Sequence, residues 1–337
     1  MAICRVYLCT YRRNHLLSRA LNSLLTQTFT DWVCEVHNDD PKDPFPRQLV
    51  EEIGDSRISL VEHPENLGPV RTFNLIFRKV EEPFISLLED DNWWQPEFLE
   101  KMIETIKIFP EVNVAWANMR CWQEEKNGDW TDTKRSIWER NNTDLPELYF
   151  WPRRQQISGA SHSNGAMLIR SRNVSNYAIP DEFPFIGTEA IRERIFHYPI
   201  LFVPETLANF AITKRTSRSN NRMIEGQVRT LLAASFFKHV PVEEDTLREI
   251  WHKARSRTLK STGNLFFAAL VHRECRKLLR YATIGDWIFF IASCLKRPLT
   301  SWRTLESISS NQKLWNFLDQ QTACKTEEAL QRGFKCM

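Results

Sequence analysis

The stretch "ICRVYLCTYRRNHLLSRALNSLLTQ" (residues 3–27) contains both halves of an α/β unit. Residues 3–9 read as a strand, and residues 14–27 place Leu16, Leu17, Leu21, Leu24 and Leu25 at helical spacing. The same alternation continues outward. Strand-like runs at 32–37, 57–63, 84–88 and 112–117 are separated by helical runs at 47–54, 70–80 and 97–108. Strands divided by helices of this length imply βαβ crossovers and a mainly parallel, Rossmann-like sheet flanked by helices. In such a sheet ligands bind beyond the carboxyl ends of the strands. Those ends carry the unusual polar residues of this chain: Thr10-Tyr11, Asn38-Asp39-Asp40 and Glu89-Asp90-Asp91.

Beyond residue 118 the rhythm is lost, and 118–156 reads as an irregular excursion rich in Trp, Asn, Asp and Arg. Regular signals return at 165–170 (strand), 188–196 (helix) and 200–204 (strand); from about 222 the pattern is wholly helical. A division into a catalytic domain, 1–222, and a helical C-terminal region, 223–337, follows.

With 42% hydrophobic and 26% charged residues, the 337-residue chain has the balance of an ordinary globular protein. A net charge of +3 gives no support to a nucleic-acid partner. Between Arg248 and Arg303 twelve Lys/Arg face three Asp/Glu, a local +9, so the remainder is net acidic. The eight cysteines form no CxxC pair, which suits reduced thiols and a cytoplasmic protein rather than a disulfide or zinc framework. The start "MAICRVYLCTY" passes directly into a strand pattern, so no leader is expected, and "YATIGDWIFFIASCL" (281–295) is too short to span a bilayer.

Three acids on one turn repel each other unless a cation neutralises them. Mg²⁺ and Mn²⁺ prefer carboxylate oxygen, and Mg²⁺ commonly takes one or two carboxylates with substrate phosphates completing its shell. The acids after residue 88 therefore suggest a metal clamping a diphosphate; the plainer reading is a solvated loop in which Asp91 or Asn92 caps the following helix. Tyr11 could stack on a nucleobase and Asp39 could accept a ring N–H, although either alone also suits a turn. Together the three strand ends outline a site for a nucleoside diphosphate.

The runs "VYLCTYRRNHLLSRALNSLLTQTFTDWVCEVHNDDPKD", "NLGPVRTFN" and "FISLLEDDNWWQPEFLEKM" resemble the family 2 glycosyltransferases of GT-A fold over residues 3–118, more weakly over 157–212, and not beyond. The resemblance implies transfer of a sugar, with inversion, from a nucleotide-sugar donor of the UDP type to a glycan or lipid-linked acceptor in cell-surface polysaccharide synthesis. It implies that Cys9, Thr10 and Tyr11 line the nucleoside pocket and that Asp39 reads the base. Arg71 would contact diphosphate or uracil, Asp90 the ribose or donor sugar, and Asp91 with Glu89 the metal, Mn²⁺ or Mg²⁺. Two positions depart from the family: Asp40-Pro41 replace a common Gly-Ser, and Phe73 stands where an Arg usually precedes the helix asparagine, here Asn74.

An inverting transfer needs a base across the donor sugar from the metal. The resemblance places it in the acidic motif opening a helix, "GTEAIRERI", hence Glu189, with Asp181 and Glu182 in reserve; a first-turn Glu also favours the helix dipole without catalysis. His162, Ser163 and Asn164 are candidates for the donor-sugar or acceptor side. Lys214, Arg215 and Arg218 could help the leaving group, or form a solvated loop.

In the C-terminal region Trp287, Phe289, Phe290 and Trp302 lie close in sequence to Lys296, Arg297 and Arg303, a combination that suits peripheral contact with the inner face of a membrane. The other reading is an appendage packed on the catalytic domain or on a second subunit of a homodimer. Two further function classes stand beside sugar transfer. A nucleotidyltransferase would carry a Gly-rich loop after its first strand, where "CTYRRNHLL" has no glycine. A non-catalytic nucleotide-sugar or glycan binder of the same fold is the other.

Overall fold

A computed structural model describes residues 2–138, 145–172, 174–214, 222–257 and 259–337. They form two compact units. The first comprises 1–149, 162–182 and 196–217; the second comprises 150–161, 183–195 and 218–337. Division by compactness thus assigns two segments on the N-terminal side of residue 222 to the helical unit.

The first unit is built on β1 (Cys4–Thr10), β2 (Trp32–Asn38), β3 (Ile58–Glu62), β4 (Phe84–Glu89), β5 (Trp93–Trp94), β6 (Val114–Glu124), β7 (Trp130–Ser136), β8 (Glu147–Tyr149), β9 (Met167–Arg170) and β10 (Ile200–Ile212). The sheet order is β3-β2-β1-β4-β9-β6-β10-β5, with β7 on β6 and β8 on β10. β3, β2, β1 and β4 pair in parallel; β9 lies antiparallel between β4 and β6, and β6 pairs in parallel with β10. Six of the ten strands therefore run in one direction, as the helix-strand alternation demanded.

The helices α1 (Asn14–Leu25), α2 (Phe45–Ile53), α3 (Pro69–Asn74) and α4 (Phe98–Ile108) connect these strands. Leu17, Ala20, Leu21 and Leu24 of α1 and Leu99, Met102, Ile103 and Ile106 of α4 join Val6, Leu8, Val36 and Leu88 in one buried cluster. The continuous apolar runs of the strands follow from burial on both faces, typical of parallel sheets. Gln27 ties the helices: its amide nitrogen donates to the Gln95 carbonyl (2.7 Å) and its oxygen accepts the Leu99 N–H (2.9 Å). A Leu21→Ala change in such a core would cost about 2–5 kcal/mol.

Residues 118–156 are more regular than the sequence suggested. β6 continues to Glu124 and returns through a hairpin as β7, with Gly128 in the left-handed region (φ 91°) at the turn. The missed signal is Asn127-Gly128, the strongest short hairpin motif. The alternation around it is hidden because β7 is only half-buried and its residues are polar on both faces. β10 likewise extends beyond the expected 200–204, through a register irregularity around Pro204, which has no N–H for the ladder. The helix expected at 188–196 is short, α5 (Thr188–Arg192).

The second unit holds α5 together with α6 (Arg222–His239), α7 (Glu244–Arg257), α8 (Leu259–Val271), α9 (Ile284–Lys296), α10 (Pro298–Ser310) and α11 (Gln312–Gln331). Leu231, Phe236, Trp251, Phe266, Leu278, Leu314 and Leu318 are fully buried in it. Residues Arg273–Tyr281, within the stretch whose pattern is wholly helical, form a 3₁₀ segment rather than an α-helix. No helix among the described residues is long and apolar enough to cross a membrane.

Candidate functional site

The register of the sheet builds the site. Thr10 pairs with Asn38 and Cys9 with Glu89, so the residues that follow β1, β2 and β4 emerge side by side at one sheet edge. Tyr11 is 40% exposed there, and the Arg12 guanidinium lies 4.9 Å from its ring centre. Arg12 adopts a left-handed backbone (φ 56°) and ion-pairs with Asp40 at 2.6 Å. This contact gives Asp40 a local role: it holds the turn after β1 against the turn after β2.

Asp39 is buried and already engaged. Its two oxygens accept the Leu67 N–H (2.7 Å) and the Gly68 N–H (3.1 Å), fixing the loop that starts α3. A carboxylate oxygen has a second lone pair, so these bonds leave acceptor capacity for a ring N–H. Gly68 has φ 77°, a conformation that favours glycine. On α3, Arg71 faces Glu65 (3.7 Å) and Asp181 (3.8 Å), while Asn74 donates to Asp181 (2.9 Å) and to the Ile179 carbonyl (2.7 Å). Arg71, Asn74 and Asp181 are thereby brought together at an exposed edge. Glu182 is exposed beside them in sequence. Cys9 is buried with its thiol directed at the Thr72 carbonyl (3.8 Å), and burial pushes its pKa well up.

Asp90 and Asp91 share one arginine. Arg13 lies 3.2 Å from an Asp90 oxygen and closer still to Asp91. Asp90 is 5% exposed, and burial raises its pKa to about 7, with Arg13 opposing the rise and Asp91 adding to it. Burial draws Arg13 down, but Asp90 and Asp91 more than compensate and hold it above its usual range. A second arginine fixes the backbone: Arg19 of α1 donates to the Asp91 carbonyl (2.8 Å), its guanidinium lying 3.8 Å from the Trp93 ring centre and 4.0 Å from that of Trp130. Burial lowers the Arg19 pKa to about 10.

Neither Arg13 nor Arg19 was singled out by the sequence reading. Both lie in the "RRNHLLSR" run, where a basic residue opening a helix looks like ordinary solvation. Only the strand order, which seats α1 beside the end of β4, shows their targets.

Glu89, which the resemblance offers to the metal beside Asp91, has close neighbours of its own. It accepts a hydrogen bond from Asn92 (2.7 Å), and a Cβ added at Gly165 would come within 2.5 Å of its carboxylate. Among the described residues no group of three His, Cys, Asp or Glu is gathered as a metal-ligand set. The carboxylates available to a hard cation are those of Asp91 and Glu89, with Asp90 buried between them in sequence. That pair fits the modest protein contribution Mg²⁺ asks for when phosphates supply the other oxygens. Arg13 occupies the position of positive charge beside Asp90 and Asp91.

His162 is buried and meets Phe196 edge-on at 5.0 Å, with Ser163 and Asn164 buried next to it. Glu189 belongs to the second unit, in the first turn of α5, half-buried and close enough to Arg192 to act on its charge. Lys214 contacts Glu124 and Glu125 through its backbone N–H and its ammonium. Arg215 and Arg218 lie outside the described residues.

With this geometry in place the chain can be compared with known proteins. The sequence profile described as "Glycosyl transferase family 2" matches residues 5–170. That part of the chain belongs to glycosyl transferase family 2. A curated relative, the Escherichia coli UDP-Glc:alpha-D-GlcNAc-diphosphoundecaprenol beta-1,3-glucosyltransferase WfgD, is 32% identical over 94 residues, which are 28% of this chain and 37% of the relative. The chain thus matches little more than a third of that relative's length. Solved structures of Staphylococcus aureus TarS residues 1–349 superpose over nearly the whole chain. The UDP complex has a TM-score of 0.55 at 13% identity, and the UDP-GlcNAc complex 0.57 at 14%, each covering 99% of this chain and 92% of TarS 1–349. At that identity the likeness establishes the fold, which is the GT-A fold expected from the sequence.

Proposed function

We propose that this family 2 chain transfers a sugar from a UDP-sugar donor to a glycan or lipid-linked acceptor, with inversion at the anomeric carbon. The observation that carries the proposal is the convergence of Tyr11, Asp39 and the Arg13–Asp90–Asp91 group at adjacent strand ends of one sheet. Support for the donor comes from the uridine nucleotides printed in the names of the relative and of the TarS complexes. WfgD's name supplies the lipid-diphosphate acceptor class.

In this reading Tyr11 stacks on the base and Asp39 accepts its ring N–H while holding the loop of Leu67 and Gly68. Asp90, buried beside Arg13, faces the ribose or the sugar. Asp91 with Glu89 would hold Mg²⁺ or Mn²⁺, which when bound neutralises charge growing on the departing diphosphate. Arg71 on its exposed edge contributes a second positive charge toward that group. Glu189 takes the proton from the attacking acceptor hydroxyl; Asp181, held by Arg71 and Asn74, and Glu182 are the alternatives for that step.

Nucleotide release should be measured across UDP-, GDP- and dTDP-sugars with Mg²⁺ or Mn²⁺. Turnover with one uridine donor, reduced about 100-fold or more by Asp91→Ala and by Glu189→Gln, supports the proposal. Turnover indifferent to EDTA and to Asp91→Ala would refute the metal assignment. Nucleotide binding without turnover would favour the non-catalytic binder instead.

A further inference from the structure

We infer that α9 and α10 form an in-plane docking surface for an anionic phospholipid bilayer. The inference concerns the second unit alone and does not depend on the donor or acceptor. On α9, Ile284, Ile288, Ile291 and Leu295 follow the spacing i, i+4, i+7, i+11, which puts them on one stripe. All four face solvent, at 80%, 63%, 50% and 74% exposure, and Leu299 and Trp302 of α10 continue the apolar surface at 72% and 68%. A contiguous exposed apolar surface of this kind marks an interaction site.

The stripe is presented rigidly. At the start of α9 the Thr283 N–H donates to Asp286 (2.9 Å) and the Trp251 indole N–H donates to the same carboxylate (3.2 Å), while Arg255 ion-pairs with it (3.3 Å). Phe290 stacks on Phe266 at 4.5 Å and Trp287 meets the same ring at 4.8 Å. Asp286, Trp287 and Phe290 thus form the inner face, and the isoleucines and Leu295 are left on the outer one. Of the aromatics that first suggested a membrane, Phe290 is the inward anchor and Trp287 touches the same ring while staying partly exposed; Phe289 and Trp302 are exposed with the aliphatic residues.

Charge selects the occupant. Lys296, Arg297 and Arg303 are all exposed beside the apolar stripe. The two helices carry only two acids, Asp286, which is buried and paired, and Glu306. A second copy meeting this face across a two-fold axis would bring Lys296, Arg297 and Arg303 against themselves. A surface of anionic headgroups over acyl chains instead satisfies both the charge and the apolar stripe. At 13 residues α9 is about 20 Å long, too short to cross a bilayer and suited to lying in its surface.

The test is flotation of the full chain with vesicles of phosphatidylglycerol and phosphatidylcholine, set against vesicles of phosphatidylcholine alone. Binding to the anionic vesicles should be at least about tenfold tighter and should weaken in high salt. It should fall about tenfold or more in Ile288→Glu/Leu295→Glu and in Lys296→Glu/Arg297→Glu/Arg303→Glu. Should either variant fail to fold, quenching of tryptophan fluorescence by brominated phosphatidylglycerol, diminished in Trp302→Phe, reads the same contact in an otherwise intact surface. Equal or absent binding to both vesicle types would overturn the inference. So would a wild-type dimer that binds no vesicles and is made monomeric by Ile288→Glu/Leu295→Glu.

Discussion

At the strand ends of the first unit, charged groups are buried: Asp90 is 5% exposed and Arg13 lies against it. On α9 and α10 of the second unit, large aliphatic groups are bare: Ile284 is 80% exposed and Leu295 74%. Each region departs from the ordinary partition of residues in the opposite sense. The buried acid is tolerable because Arg13 offsets part of the cost of burial and proton uptake relieves the rest; the exposed aliphatics are tolerable in water but gain by being covered. The first departure points to a small polyanionic ligand and the second to an extended apolar one. In both proposals, function is read from the place where the burial rule is broken.

The strongest way to break this comparison is to remove the pairing. Arg13→Leu leaves Asp90 and Asp91 without their shared cation and should destabilise the chain by about 3–5 kcal/mol at neutral pH, read as a lower denaturant midpoint. If Arg13→Leu unfolds at the wild-type midpoint, the buried charges are not coupled as described.

Protonation offers a finer probe. A carboxyl whose folded pKa is about 7, against an ordinary 3.8, binds its proton more readily folded than unfolded. Its contribution to stability is present below the lower value and is lost as pH rises toward the upper one. Between about pH 4 and 7 that part of the stability should decline, with a slope of at most about 1.4 kcal/mol per pH unit. Asp90→Asn should flatten it, as measured by urea midpoints at several pH values.

Two smaller effects sharpen the local geometry. Gly165→Ala forces a methyl against the Glu89 carboxylate and should cost about 1–3 kcal/mol, checked by thermal unfolding. Arg19→Lys keeps a cation but loses the planar group between Trp93 and Trp130. It should destabilise by about 1 kcal/mol and shift the indole fluorescence of those two rings.

The leucine spacing of α1 and the apolar strands made the parallel half of the sheet legible, because both elements bury faces whose period is written in the chain. The acids at the strand ends stood out in the sequence because an apolar run stops abruptly in three carboxylates. What resisted reading was set by tertiary geometry. Arg13 and Arg19 gain their meaning from the place of β4 next to β1. Glu89 meets Gly165 only because the turn leading into β9 returns beside β4 from 76 residues later in the chain. The β6–β7 hairpin, half-exposed and polar, has no apolar face strong enough to declare its period. On α9 the apolar character was plain in the sequence, but which residues faced outward depended on Asp286, Trp287 and Phe290 finding Trp251, Arg255 and Phe266.

The central claim is that Asp91 and its neighbours hold a metal-bound uridine diphosphate at the strand ends. Calorimetric titration of UDP into the wild-type chain and into Asp91→Ala, each with and without Mn²⁺, tests it most directly. The account expects Mn²⁺-dependent binding in the wild type that is lost in Asp91→Ala. Binding of equal strength in all four titrations, or in none, would contradict it.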